Sequence, residues 1–193
     1  GDVYKRQLLW VLDKTKTAMG KRLIRTWLEQ PLLSPAGITL RQNAVEELFE
    51  NRPLLDDVTE ALTGIFDLER IMTRVVYGSV NGKDLRALWS ALTRLPQLKA
   101  LSATFKATML RDIDSRMDVL SDICALIDRA VVEEPPHTIR EGGIIREGFN
   151  AELDEVKSDM TNGKQLIAEL EAREREATGI PKLRVGYNRV FGY

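Results

Sequence analysis

Phe149-Asn-Ala-Glu-Leu-Asp-Glu-Val-Lys-Ser-Asp-Met-Thr-Asn-Gly-Lys-Gln-Leu-Ile-Ala-Glu-Leu170 carries apolar or small residues at Phe149, Leu153, Val156, Met160, Gly163, Ile167 and Leu170. These alternating steps of four and three give a narrow helical seam of the kind that meets one partner helix. The other faces, with Glu152, Asp154, Glu155, Lys157, Asp159, Lys164 and Glu169, must stay in water, because unpaired charge is costly to bury. Continued to Ala177, such a helix is about 40 Å long, longer than a small domain is wide, so a projecting arm is expected. Gly179, Ile180 and Pro181 spell its end: a residue suited to the left-handed conformation, one that can fold back on the last turn, and one that forbids continuation.

Beyond that stop the composition changes. Lys182, Arg184 and Arg189 stand among Leu183, Val185, Tyr187, Val190 and Phe191 with no acidic residue. Positions 183, 185 and 187 alternate with 182, 184 and 186, which predicts a short strand with one apolar face and one cationic face. Asn188 and Gly192 suggest a hairpin turn and a second strand that barely starts.

Thr178-Gly-Ile-Pro-Lys-Leu-Arg-Val-Gly-Tyr-Asn-Arg-Val-Phe-Gly-Tyr193, following Leu170-Glu-Ala-Arg-Glu-Arg-Glu176, resembles the lever-to-clamp junction of the bacterial MutS family of DNA mismatch repair proteins. Upstream blocks agree in order. Leu8-Leu-Trp-Val-Leu-Asp-Lys-Thr15, Ala18-Met-Gly-Lys-Arg-Leu23 and Trp27-Leu-Glu-Gln-Pro-Leu32 are similar to the start of that family's core domain. Asp67-Leu-Glu-Arg70, Glu134-Pro-Pro136, Gly142-Gly-Ile-Ile145 and Glu152-Leu-Asp154 follow.

The resemblance implies a mostly α fold: a multi-helix core over 8–148, a projecting lever helix over 149–181, and the start of a clamp β-strand over 182–193. It implies double-stranded DNA as partner, met without sequence reading through Lys182, Arg184, Asn188 and Arg189. Asp67, Glu69, Arg70, Gly142, Gly143 and Gly179 take structural roles. It further implies a homodimer in the full-length protein, a second lever helix of the same chain, and ATP with magnesium held outside the present stretch. Residues 1–7 show no period and suggest a non-native or disordered leader.

Elsewhere the chain reads as short helices. Thr17 caps one with Met19, Leu23, Trp27 and Leu28 on a face, opposite Lys21, Arg22 and Arg25, which read as a solvated face or a phosphate contact. Ser34-Pro35 opens another, a third runs from about Pro53 to Leu62, and Asn81-Gly82 reads as a turn before a helix over Asp84–Leu95. Leu98–Ala107 suggests a short helix and Ser115–Ala130 a longer one; Pro135-Pro136 and Gly142-Gly143 mark a loop with small strands. Asp67 and Glu69, two apart, are not a catalytic pair and suggest an ion pair with Arg70 or Arg74.

The remaining chemistry is sparse. None of Gly20-Lys21-Arg22, Gly82-Lys83-Asp84 or Gly163-Lys164-Gln165 carries the Ser or Thr of a phosphate loop, so this chain on its own is not expected to be an enzyme. His137 has no second His or Cys nearby for a metal site, and a solvent-facing loop position is expected. A single cysteine, Cys124, excludes an internal disulfide and fits a buried thiol in a reducing, cytoplasmic setting. No apolar run approaches a membrane span. Net charge is -1, so any nucleic-acid signal must be local, and the basic tip at 182–189 is where it lies. The competing reading is a helical coiled-coil module that binds a protein partner and no DNA.

Overall fold

The computed structural model describes residues 2–186, with side chains from residue 7 onward. It divides into two compact units, residues 1–145 and 146–193.

The first unit is built of helices. They are α1 (Asp2–Leu12), α2 (Ala18–Glu29), α3 (Pro35–Glu50), α4 (Arg52–Leu62), α5 (Leu68–Val76), α6 (Gly82–Leu92), α7 (Leu95–Ser102), α8 (Thr108–Arg116) and α9 (Ser121–Ala130). Most starts are written in the sequence. Thr17, Ser34, Asn51, Asp67 and Asn81 each accept the amide of the third residue beyond them, satisfying donors that a helix leaves orphaned at its first turn.

Helix α3 packs on α4 and α8, α4 on α7, and α6 on α9. Two apolar clusters result. Ala61, Ile65, Ala91 and Leu98 form one, and Leu92, Ile127, Ala130 and Val131 the other. Leu95 touches both and joins them. A polar clasp closes α7 onto α8: buried Ser102 donates to Asp114 at 2.6 Å, and Lys99 Nζ lies 3.0 Å from the same carboxylate. The Ser102 hydroxyl first, then Lys99, hold that carboxyl below the ordinary aspartate range.

Several expectations need correction. Asn81-Gly82 is not a free turn but the N-terminus of α6: Asn81 accepts from the Asp84 amide at 2.9 Å while Asp84 accepts from the Asn81 amide at 3.0 Å. The helix expected to run to Leu95 ends at Leu92, and Pro96 lies in the first turn of α7, where its missing N–H is harmless. The helix expected over Ser115–Ala130 is broken at 117–120. The Asp118 carboxylate accepts the Leu120 amide at 2.9 Å, and Leu120 itself is left-handed at φ 48, a local turn that competes with the helical ladder. Helix α1 begins at Asp2 and takes in residues 2–7.

After α9 the chain turns back through a loop containing a 3-10 turn, Ile139–Glu141. Val131 and Ile145 pair as an isolated antiparallel bridge, with the Val132 amide donating to the Ile144 carbonyl at 3.0 Å. Gly142 and Gly143 both adopt φ 71, which an L side chain rarely tolerates. Cys124 is half-buried against the second cluster, and burial pushes its thiol up.

The second unit is dominated by α10 (Ala151–Thr178). Asn150 caps it through the Leu153 amide at 2.9 Å, and Asp154 reaches back to the Gly148 amide at 2.8 Å. At the far end Gly179 is left-handed at φ 68, and its amide closes on the Arg175 carbonyl at 2.9 Å. None of the residues of α10 is buried.

The short β segment expected after the helix does not form among the described residues; 183–186 carry no strand pairing. The physical reason is that a strand needs a neighbour to complete its ladder. Among the described residues, the backbone of this segment meets side chains of α10 instead.

Candidate nucleic-acid interface at the end of the long helix

Two exposed cations define the site. Lys182 and Arg184 are exposed, whereas Leu183 and Val185 between and beyond them are half-buried. The alternation expected of an extended segment is therefore present over 182–185, with no second strand among the described residues. It begins where the chain leaves Gly179 and turns through Pro181, the Leu183 amide donating to the Ile180 carbonyl at 3.2 Å.

What holds the segment is a pair of helix residues four apart. Arg175 donates through Nε to the Leu183 carbonyl at 2.7 Å and through Nη2 to the Glu171 carboxylate. The other Glu171 oxygen faces the Val185 amide at 3.5 Å. Residues 183 and 185 of an extended chain direct their backbone polar groups the same way, so one guanidinium and one carboxylate meet the carbonyl and the amide a partner strand would have met. No role was expected of Glu171 or Arg175 from the sequence. Their i, i+4 spacing next to a helix stop was the available signal.

Two other expected contacts, Asn188 and Arg189, lie outside the described residues. The residues assigned structural roles are distributed differently. Gly179 ends α10, and Gly142 and Gly143 lie in the loop before the Ile145 bridge. Asp67 caps α5 through the Arg70 amide at 3.2 Å. The ion-pair partner of Asp67 and Glu69 is the Arg22 side chain of α2 rather than that of Arg70 or Arg74. Arg74 instead binds Asp84 at 2.7 Å, bridging α5 and α6. Arg22 thus stays on the exposed face expected of it, but is paired there with the two carboxylates.

A second cluster joins Lys83 and His137: Lys83 Nζ lies 2.9 and 3.1 Å from the two ring nitrogens of an exposed His137, in an open recess of about 470 Å³ also lined by Arg86, Glu133, Glu134 and Pro135. Arg86 is engaged by Asp128 at 3.1 Å and stacks 4.1 Å from the Trp89 ring. With both signs of charge intermixed there, the recess has no single electrostatic preference. Among the described residues no group of three His, Cys, Asp or Glu is placed to hold a metal ion. The glycines of Gly20-Lys21, Gly82-Lys83 and Gly163-Lys164 all lie within helices.

The comparison with known proteins matches these features to one family: residues 2–184 match the family model described as MutS domain III. This chain belongs to the MutS domain III family. The match includes α1 from its first residue, all the core helices, α10, and the extended segment through Arg184. The DNA mismatch repair protein MutS of Lachnoclostridium phytofermentans is 50% identical over 186 residues, which is 96% of this chain and 20% of that protein. The proteins of the same name from Ruminiclostridium cellulolyticum and Halothermothrix orenii are 48% and 47% identical over 98% and 100% of the chain. The MutS domain III chain thus spans about a fifth of the length of the relatives it matches.

Proposed function

We propose that this chain is the core and lever portion of a DNA mismatch repair protein, and that its tip supplies sequence-independent contacts to duplex DNA. The observation that carries the reading is the family match across residues 2–184 at 46–50% identity to proteins named for mismatch repair. On this reading residues 8–148 are the core, 149–181 the lever, and 182–193 the start of the clamp. Lys182 and Arg184, with Asn188 and Arg189, meet sugar-phosphate backbone. Such contacts position a protein on DNA without reading bases, which suits a factor that must survey any sequence.

The rest belongs to the whole protein. ATP and magnesium are bound in another part of it, two copies act together, and the lever carries the nucleotide state to the clamp as a rigid element with two positions. The protein works in the cytoplasm. The lever's apolar seam meets a second helix of the same protein.

The test is a salt titration of duplex binding by fluorescence anisotropy. Backbone binding should weaken with salt at a log–log slope of about −0.9 per phosphate neutralised, and Lys182→Glu with Arg184→Glu should flatten the slope by about two. A helix-docking module would instead ignore salt. Affinity for DNA that neither salt nor the double variant changes would overturn the clamp assignment.

A further inference from the structure

The cationic tip is held by a device that the family match does not itself assign. Leu183 and Val185 are half-buried and Lys182 and Arg184 exposed, and the backbone at 183 and 185 is engaged by Arg175 and Glu171. In an extended chain the side-chain period is two, so a slip of one residue would exchange the two faces. Without a described partner strand, nothing in a regular ladder sets that register. A single guanidinium, clamped by a carboxylate one turn earlier, does so instead.

We propose that Arg175 and Glu171 are positioning residues that fix the register of the segment after the lever, so that Lys182 and Arg184 rather than Leu183 and Val185 face the DNA backbone. This rests on the reading of the tip as a DNA contact. Neither residue need touch DNA. Arg175 is suited to the task because its planar fork donates in two directions at once, to a carbonyl and to a carboxylate, which a lysine ammonium on a flexible stem does poorly. Glu171 serves twice, orienting the guanidinium and facing the Val185 amide.

The sign of one substitution separates positioning from simple charge. Glu171 is an anion beside a cationic tip, so if it acted only through its charge, Glu171→Ala would tighten duplex binding. Positioning requires the reverse: Glu171→Ala and Arg175→Lys should each weaken binding by roughly two- to tenfold. Glu176→Ala, which removes an exposed anion from the same last turn, should leave binding equal or tighter. A second readout needs no DNA. With a soluble paramagnetic agent, nuclear magnetic resonance of the 193-residue chain should show strong relaxation at the side chains of Lys182 and Arg184 and weak relaxation at Leu183 and Val185. The contrast should be lost in Glu171→Ala and Arg175→Lys while the α10 amide signals persist. Unchanged alternation in both variants, or tighter binding by Glu171→Ala, would overturn the register proposal. A failure of Lys182→Glu and Arg184→Glu to alter binding would instead sink the DNA reading on which it rests, with the relaxation contrast still reporting on the register itself.

Discussion

Arg22 grips Asp67 with both ends of its guanidinium, Nη1 and Nη2 each standing 2.7 Å from a carboxylate oxygen. Its Nε also donates to Glu69 at 3.0 Å, so one side chain of α2 ties down the first turn of α5. Hydrogen bonding from Arg22 first, helped by the Arg70 amide and opposed by desolvation, holds the Asp67 carboxyl below its ordinary value of 3.8. A carboxyl depressed in the folded state contributes stability above its unfolded value, and that contribution is lost as pH falls through the folded value. Arg22 is half exposed, so the pair is screened and its effect modest. Arg22→Gln should lower the urea midpoint at neutral pH, and the gap from wild type should close on acidification below 3.8. Arg22→Lys should recover only part of the loss, lacking the fork. A gap that stays constant across the acid limb would show that Arg22 acts through packing instead.

Gly82 leaves no room for a methyl group. A Cβ built there would fall 2.6 Å from Pro135 Cβ and 3.2 Å from Ile144 Cγ2. The backbone at Gly82 is ordinary helix, so conformational freedom is not the reason for glycine here. Close approach of the 135–144 loop to the first turn of α6 is. Gly82→Ala should therefore destabilise by about 1–3 kcal/mol through overpacking, even though alanine is the better helix former. Equilibrium urea unfolding measures it, and a stabilised variant would mean that the Pro135 loop yields without cost.

The parts of the fold legible in sequence are those with a local cause. Ser34-Pro35 and Thr17 announce helices because a capping oxygen acts three residues away, and Gly179-Ile180-Pro181 ends α10 for an equally local reason. What escaped is non-local. Glu47 of α3 accepts the amides of Lys106 and Ala107 at 2.8 and 2.5 Å, serving the start of α8 from 59 and 60 residues away; no window contains both partners. The pairing of Arg22 was hidden because its carboxylates lie 45 and 47 residues on. At the candidate site the alternation of 182–185 could be read directly. Its anchors could not, because strand logic looks for another strand and not for the side of a helix.

Leu120 shows a local cause that periodicity hides. Val119, Leu120, Ile123 and Ile127 suit a continuous helix, yet Leu120 is left-handed at φ 48 ψ 44 behind the Asp118 turn. An L residue in that region is strained by roughly 1–2 kcal/mol, less for asparagine, which visits it more readily. Leu120 and Ile123 are equally exposed, at 39% and 38%, so burial alone predicts similar losses on replacement. Leu120→Asn should cost clearly less in thermal stability than Ile123→Asn. Asp118→Ala, which removes the acceptor of the Leu120 amide, should cost about 1 kcal/mol. Equal losses at the two sites would mean that the turn is unstrained.

The seam of α10 is open to solvent over much of its length, with Val156 55% and Met160 60% exposed. An isolated helix in water depends on propensity and side-chain pairs, whereas a helix with a heptad seam depends on burying that seam. Val156→Glu with Met160→Glu distinguishes the two, because glutamate is a better helix former than valine. If α10 stands by propensity alone, the double variant should gain helical circular dichroism. If it is stabilised by seam-to-seam packing between chains, the variant should lose helicity, since charge would be driven into an apolar contact. The latter is expected of the 193-residue chain taken alone, in which Val156 and Met160 stand uncovered by the helix proposed to meet the seam in the whole protein: wild-type mass in sedimentation should rise with concentration and the double variant should remain monomeric. A wild-type chain that is monomeric at every concentration, with α10 amides protected from exchange, would refute it.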